Sequence, residues 1–202
     1  MQKIIPHLWF DREAVEAVNL YVSVFPNSKI MNITTIHNTP SGSADIVNFE
    51  LSGLEFQAIS AGPYFKFNPA VSLQVTCKTK QEVDKIWEKL LPGGQALMEL
   101  GAYPFSERYG WLQDKYGLSW QIIFSGEAPG KQQITPVIMF VGDVCGRAEQ
   151  AVNHWITTFK QGKIEAMMRY GKGDEFNPEG SVIRAAFSLF GQEFGAMDSG
   201  YN

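Results

Sequence analysis

An internal repeat is the feature that most limits what this chain of 202 residues can fold into. Residues 16–30 align without gaps on residues 150–164, and six of the fifteen positions are identical. Further along, residues 53–62 recur as residues 191–200, with Gly, Glu, Phe, Ala and Gly at matching places. Self-similarity of this kind indicates that one supersecondary module is used more than once. The fold must therefore be built from copies of that module.

The hydrophobic pattern of the first copy predicts a strand, a helix and then three strands. Residues 4–10 are apolar and aromatic, as in a short strand. We expect Asp11 to cap the helix that follows, because residues 14, 17, 18, 21 and 25 then fall on one apolar face. Strands 29–37, 45–51 and 54–60 complete the module, with turns at 39–42 and 52–53. We call this βαβββ arrangement a module.

A second module follows whose sequence has diverged from the first, and a third resembles the first. In the second, Thr79 and Glu82 form a capping box before a helix with an apolar stripe at residues 83, 86, 87 and 90. Residues 125–133 are typical of a flexible linker. We therefore expect a two-module domain at 1–124, a linker at 125–133, and a third module at 134–202 that is half of a second domain.

Composition and charge exclude several classes of protein. The formal net charge is −4, which gives no surface-wide attraction to nucleic acid or to an anionic membrane. No apolar run approaches the length of a membrane span, and charged residues interrupt the N-terminus too early for a signal peptide. Cys77 and Cys145 lie far apart, as expected of free thiols in a reducing compartment. The sequence predicts a cytoplasmic protein without nucleic-acid or membrane partners.

Four stretches carry a family resemblance: PHLWFD, EAVNLYVSVFPNSKI, FKFNPAVSLQVTC and GWLQDKYGLSWQI. Together with the βαβββ modules, they resemble the PhnB-like proteins, which are labelled 3-demethylubiquinone-9 3-methyltransferase domain proteins. These belong to the vicinal oxygen chelate, or glyoxalase/bleomycin-resistance, superfamily. The resemblance implies an α+β fold in which paired βαβββ modules close a cup-shaped, mostly antiparallel sheet around a cavity.

The resemblance also implies four positions for the ligands of a divalent metal, where His and Glu are typical of the superfamily. In this sequence the four positions are His7, Gln57, Ala70 and Gln121. The set has no carboxylate to neutralise a cation, and Ala70 has no donor atom at all. We therefore predict neither a metal nor another cofactor.

The same positions predict a pocket for a polar small molecule. His7, Gln57 and Gln121 are expected to line a cavity in residues 1–124, with Trp9 or Trp120 at its wall. The predicted ligand-binding side chains are polar or aromatic: His7, Trp9, Gln57, Tyr64, Ser72, Gln74, Trp111, Trp120 and Gln121. Alternatives stay open for these residues. His7 could instead be a hydrogen-bonded interior histidine, and the two glutamines could bond to each other. The aromatic rings are equally compatible with an ordinary hydrophobic core.

Three function classes follow from these observations. The first is a small-molecule binding protein, and the second is a metal-independent enzyme in which His7 is the general base. The third is a methyltransferase, as the family label implies, although no Gly-rich cofactor fingerprint occurs in the sequence.

The third module also predicts a partner. Phe187, Leu189, Phe194 and Met197 would be poorly covered in a lone module, so we expect a homodimer through residues 134–202. The alternative is that the natural chain continues.

Overall fold

The computed structural model describes residues 2–126 and 132–200. Most of the predicted linker, residues 127–131, lies outside the described residues. None of the helices described is long and apolar enough to cross a membrane.

The described residues form strands and helices in the order that the repeat predicts. They are β1 (His7–Phe10), α1 (Ala14–Val24), β2 (Lys29–Thr39), β3 (Gly42–Leu51), β4 (Leu54–Ser60), β5 (Val71–Cys77), α2 (Lys80–Leu90), β6 (Gln95–Tyr103), β7 (Ser106–Gln113), β8 (Ser119–Phe124), β9 (Ile134–Phe140), a 3-10 turn (Gly142–Val144), α3 (Ala148–Phe159), β10 (Gly162–Arg169), β11 (Val182–Leu189) and β12 (Gln192–Asp198). This is an α+β chain of βαβββ modules.

The chain divides into two units. The first comprises Met1–Asn68 and Gln74–Ile134, and the second comprises Pro69–Leu73 and Thr135–Asn202. In the first unit the strands lie in the orders β1-β4-β3-β2 and β5-β8-β7-β6. In the second unit the order is β10-β11-β12-β9. Modules one and three share the same pairing, because β1 lies parallel to β4, and β9 lies parallel to β12.

The inclusion of Pro69–Leu73 in the second unit was not expected from the sequence. The Met139 amide donates a hydrogen bond of 2.7 Å to the Ala70 carbonyl, which links this segment to β9. A backbone hydrogen bond of this kind depends on which strands meet, and no local sequence pattern encodes it.

Helix α1 buries the apolar face predicted from its sequence. Ala14, Ala17, Val18 and Tyr21 are each 0% exposed. Its predicted cap is wrong, however. The N-cap residue is Glu13 and its side chain makes no cap bond. The hydroxyl of Ser60, at the end of β4, instead accepts the Ala14 N–H at 3.1 Å. A neighbouring strand thus does what a local Asp was expected to do.

Helix α2 matches its prediction at both the cap and the buried face. Thr79 accepts the Glu82 N–H, and the Glu82 carboxylate in turn accepts the Thr79 N–H, which is a complete capping box. Val83, Ile86, Trp87 and Leu90 are all buried. At the end of β5, burial raises the pKa of the Cys77 thiol to about 12, with a smaller contribution from the Glu82 carboxylate. Cys77 is thus a buried thiol of low reactivity.

The third module covers its own apolar side chains. Helix α3 packs against β11 and β12, and the Trp155 ring stacks on Phe187 with 5.7 Å between ring centroids. Phe187, Leu189 and Phe194 are buried, with 1%, 4% and 8% exposed. The prediction of poor cover is wrong for Phe187, Leu189 and Phe194, because α3 of the same module shields them, whereas Met197 is half-buried. The three buried residues give no reason for a partner chain at residues 134–202.

Within the first unit, Asp114 joins the first two modules. The buried carboxylate accepts the Tyr21 hydroxyl of α1 at 2.7 Å and the Trp120 indole N–H of β8 at 2.9 Å. It also accepts the backbone N–H groups of Tyr116 and Leu118. Four hydrogen bonds to one buried carboxylate make this turn a structural centre of the unit.

Candidate functional site

A row of polar side chains crosses the first sheet from edge to edge. Sheet register places His7 beside Gln57, Gln57 beside Asn48, and Asn48 beside Asn32. The Gln57 amide donates to the Asn48 side-chain oxygen at 2.8 Å, and the Asn48 amide donates to the Asn32 side-chain oxygen at 3.0 Å. We call these four residues the polar row. Gln57 and Asn48 are half-buried, whereas His7 and Asn32 are exposed.

Asn48 and Asn32 were missed by the sequence analysis. The signal was available for Asn48, since the tight turn at Ser52 and Gly53 pairs β3 with β4, and counting back from the turn puts Asn48 opposite Gln57. Asn32 follows a register irregularity in β2, between Ile30 and Asn32, so counting along the strand does not find it.

His7 is positioned to bind or exchange a proton. Although the residue as a whole is exposed, partial desolvation of the imidazole lowers its pKa below the ordinary value of 6.5. At neutral pH the ring is therefore neutral, with one nitrogen that donates and one that accepts. No hydrogen-bond partner of His7 occurs among residues 2–126 and 132–200. His7 is therefore not the hydrogen-bonded interior histidine that the sequence also allowed.

Aromatic rings flank the polar row at the end of β1. Trp9 alternates with Leu8 and so lies on the same strand face as His7. Its indole N–H donates to the Gly62 carbonyl at 2.9 Å, which fixes the ring. Phe65 meets the Trp9 ring edge-on, with 5.0 Å between centroids, and is itself 65% exposed. A fixed indole beside an exposed phenyl ring gives a planar ligand a surface to stack on.

The predicted residues of the second module lie in a different sheet. Gln121 on β8 is buried and accepts the Tyr109 hydroxyl at 3.0 Å. The Trp111 indole N–H donates to the Ser119 hydroxyl at 2.7 Å. Gln57 belongs to β4 of the first sheet, where it already binds Asn48. The structure thus gives each glutamine a partner in its own sheet. Tyr109, the partner of Gln121, is a further residue that the sequence analysis missed.

Ser72, Gln74 and Tyr64 fall into two groups. Ser72 and Gln74 on β5 are 1% and 6% exposed. Tyr64 lies in the loop after β4 and is 64% exposed. Tyr64 is therefore the accessible one of the three.

Trp120 is removed from the predicted ligand set. The residue is 0% exposed, and its ring stacks on Phe25 with a centroid separation of 5.3 Å. Tyr21 packs edge-on against the Trp120 ring, with 5.2 Å between centroids, and Asp114 accepts a hydrogen bond from the indole N–H. Side chains alternate along a strand, so Trp120 and its neighbour Gln121 point to opposite faces of β8. The ring belongs to the core beneath α1.

The four positions implied for a metal do not fit one in this chain. Gln121 uses its side-chain oxygen to accept the Tyr109 hydroxyl, and Ala70 has no donor. His7 alone is a strong ligand type in the set. Throughout residues 2–126 and 132–200, no group of three or more His, Cys, Asp and Glu residues comes together as a metal site would need. We therefore derive no chemistry through a metal at these positions.

Comparison with known proteins places this fold in a family. A sequence profile described as 3-demethylubiquinone-9 3-methyltransferase matches residues 2–123 and 132–202. The chain belongs to this family. A PhnB protein from Bacillus cereus is 43% identical, with a TM-score of 0.58, and the match covers 61% of this chain and 100% of that one. No curated protein matches the chain.

The family fold extends to glyoxalases. Glyoxalase I from Zea mays is 11% identical with a TM-score of 0.63, and the match covers 100% of this chain and 68% of that one. A protein from Pseudomonas aeruginosa is 19% identical with a TM-score of 0.54, over 63% of this chain and 100% of that one. At these identities the likeness shows the fold alone. The PhnB-like membership and the glyoxalase-type α+β fold predicted from the sequence are confirmed.

Proposed function

We propose that this chain binds a small, planar, polar molecule at the polar row, without a metal. The observation that carries the proposal is a line of three amides, Gln57, Asn48 and Asn32, joined by hydrogen bonds of 2.8 and 3.0 Å, with the His7 imidazole, unbonded in the described part of the chain, beside Gln57. A few fixed polar groups beside aromatic surface are typical of small-molecule sites. Trp9 and Phe65 supply that surface.

The chemistry of the row sets the class of ligand. Its three amides and the neutral imidazole carry no net charge, so the row favours a ligand with matched donors and acceptors over a strongly charged one. The hydrogen bonds among Gln57, Asn48 and Asn32 also hold the amides in place before a ligand arrives, which reduces the entropy lost on binding. A planar amide or a heteroaromatic ring fits both requirements.

A second candidate function is metal-free proton transfer by His7. The lowered pKa leaves an imidazole nitrogen free to accept a proton at neutral pH. Turnover of a bound ligand that is lost in His7→Gln, with binding retained, supports this candidate. Turnover that persists in His7→Gln contradicts it. The methyltransferase activity in the family's description is not proposed here, because no feature of the described residues favours it.

A thermal-shift screen tests the binding proposal. The probes are a set of planar amides and heteroaromatic compounds that includes nicotinamide, together with Mg²⁺, Zn²⁺ and Ni²⁺. A true ligand at 100 times its Kd stabilises the native state by about 2.7 kcal/mol. We expect Gln57→Leu to abolish the shift, because it removes the central amide of the row. Gln150→Leu, on the exposed surface of α3, is the matched control and keeps it.

Two outcomes contradict the proposal. One is a ligand-induced shift that is equal in the wild type and in Gln57→Leu, which places the ligand elsewhere. The other is stabilisation by a divalent ion that disappears in His7→Ala. That result would mean that His7 is a metal ligand.

We also propose a homodimer, formed through β2 instead of residues 134–202. Strand β2 ends the order β1-β4-β3-β2, so within the described part of the chain one of its edges has no neighbouring strand. Its Met31, Ile33 and Ile36 side chains are 52%, 46% and 45% exposed. A long apolar edge strand is a template for pairing with another chain. Antiparallel pairing of two β2 strands about a two-fold axis covers both edges at once.

Sedimentation velocity at micromolar concentration tests this association. We expect a dimer whose dissociation constant rises at least tenfold, roughly 1.4 kcal/mol, in Ile33→Lys, because a charge is placed on the edge. Val144→Lys is the control, since Val144 is similarly exposed at 43% but lies in the second unit. A wild-type protein that sediments as a monomer overturns the proposal.

A further inference from the structure

A cavity of about 490 Å³ lies in the first unit, apart from the polar row. Three segments surround it: residues 11–12 before α1, residues 41–45 at the β2–β3 turn, and residues 60–64 where β4 ends. None of the four residues of the polar row lines it. The cavity is therefore a separate place at which the first module can hold a ligand.

Backbone contacts fix the walls of this cavity. The Gly62 amide donates to the Asp11 carbonyl at 3.0 Å, which ties the loop after β4 to the start of α1. Gly62 has a φ of +89°, and a Cβ there would lie 3.0 Å from the Ser41 Cβ. Glycine thus lets the loop lie directly against the β2–β3 turn. The two walls are held in contact without filling the space between them.

Hydroxyl and carboxylate groups face the cavity with bonding capacity left over. One oxygen of Asp45 accepts the Thr35 hydroxyl at 2.7 Å, while its other oxygen has no partner in residues 2–126 and 132–200. The Ser60 oxygen accepts the Ala14 N–H, and its own hydroxyl hydrogen remains to be donated. Ser60 is 7% exposed, so a ligand that reaches it is largely removed from water. Together the two residues offer a fixed donor and a fixed anionic acceptor.

The charges around the cavity favour a cation. Asp11 and Asp45 carry two negative charges and Arg12 carries one positive charge, so the lining has a net charge of −1. The Arg12 side chain is 91% exposed, and its distance to the Asp11 carboxylate is 4.0 Å. A guanidinium that lies in solvent neutralises the carboxylates only weakly. The Asp45 carboxylate therefore remains available for an ammonium group.

Tyr64 completes the lining with an exposed aromatic ring. The residue is 64% exposed and stands on the rim of the cavity. An aromatic face attracts both an ammonium group and the apolar face of a ring-shaped polyol. A phosphate is repelled by the two carboxylates. We propose that this cavity binds a hydroxylated primary amine, the chemistry of an amino sugar.

Calorimetric titration of the whole chain with D-glucosamine tests the inference, with D-glucose as the uncharged comparison. At about pH 6 the ligand amine is protonated. We expect glucosamine to bind at least about tenfold more tightly than glucose, since one charge-assisted hydrogen bond has that effect. Asp45→Asn keeps the acceptor for Thr35 but removes the charge, and so weakens glucosamine binding at least tenfold. Asp143→Asn, an exposed site in the second unit, leaves it unchanged.

Tyr64→Ala provides an independent check that does not disturb folding, because the removed ring is mostly in solvent. We expect severalfold weaker binding of both sugars. Equal affinities for glucose and glucosamine overturn the role of charge. Absence of any binding overturns the site, as does an equal loss in Asp143→Asn. Calcium chloride that binds more tightly than glucosamine, in an Asp45-dependent manner, shows a cation site instead. His7→Ala leaves glucosamine binding intact, which separates this cavity from the polar row.

Discussion

Replacing Asp114 with Ala is expected to destabilise the first unit by about 4 kcal/mol. The carboxylate is 3% exposed and accepts four hydrogen bonds. Its removal leaves the Tyr21 hydroxyl, the Trp120 indole N–H and two backbone N–H groups buried without an acceptor. Each orphaned buried donor costs about 1–3 kcal/mol. The measurement is urea unfolding followed by the fluorescence of the tryptophans.

Two variants separate the causes of this loss. Tyr21→Phe removes one hydroxyl donor and its hydrogen bond to Asp114, so the free energy of unfolding is expected to fall by about 1 kcal/mol. Asp143→Asn is the surface control and stays within about 0.5 kcal/mol of wild type. If Asp114→Ala unfolds at the same urea concentration as wild type, the four hydrogen bonds do not stabilise the unit.

Asp114 also predicts a dependence of stability on pH. Burial raises the pKa of its carboxyl above the ordinary 3.8, and the hydrogen bonds from Trp120 and Tyr21 oppose that rise. Between the unfolded and the folded pKa, the native state holds a proton that the unfolded state has released. The contribution of Asp114 to stability therefore falls as pH rises through that window. In the Asp114→Asn variant the side chain no longer titrates. Its contribution to the slope of stability against pH is therefore lost.

Asp198→Ala is expected to destabilise the second unit by about 3 kcal/mol. The carboxylate is 0% exposed and accepts the N–H groups of Gly146, Ala148 and Val182 at 2.8, 3.1 and 2.8 Å. It therefore caps α3 and also fixes the start of β11. The check is hydrogen exchange, in which the amides of α3 and β11 lose protection.

Ser60→Ala is the matched comparison in the first module. Ser60 and Asp198 both end the fourth strand of their modules and cap the helix of the same module. Ser60 accepts one N–H, so Ser60→Ala is expected to lower the free energy of unfolding by about 1 kcal/mol. Faster exchange is then seen in α1 and not in α3. Equal effects of the two substitutions contradict the assignment, because three hydrogen bonds would then be worth no more than one.

Short-range patterns predicted the modules of this protein and their helices. The Thr79–Glu82 capping box and the buried faces of α1 and α2 depend on residues within a few positions of one another. Propensity and periodicity act over that range, so the sequence alone is enough to predict them.

Contacts between distant segments were decided by the tertiary structure. Ser60 caps α1 from 46 residues away, and Tyr21 reaches Asp114 across 93 residues. The pairing of Asn32 with Asn48 depends on strand register, which an irregularity in β2 between Ile30 and Asn32 shifts. Trp120 illustrates the same limit, because an aromatic residue in a strand suits either a ligand site or a core. Only the packing of α1 over β8 determines which of the two it is, since burial is a property of the assembled elements and not of the local sequence.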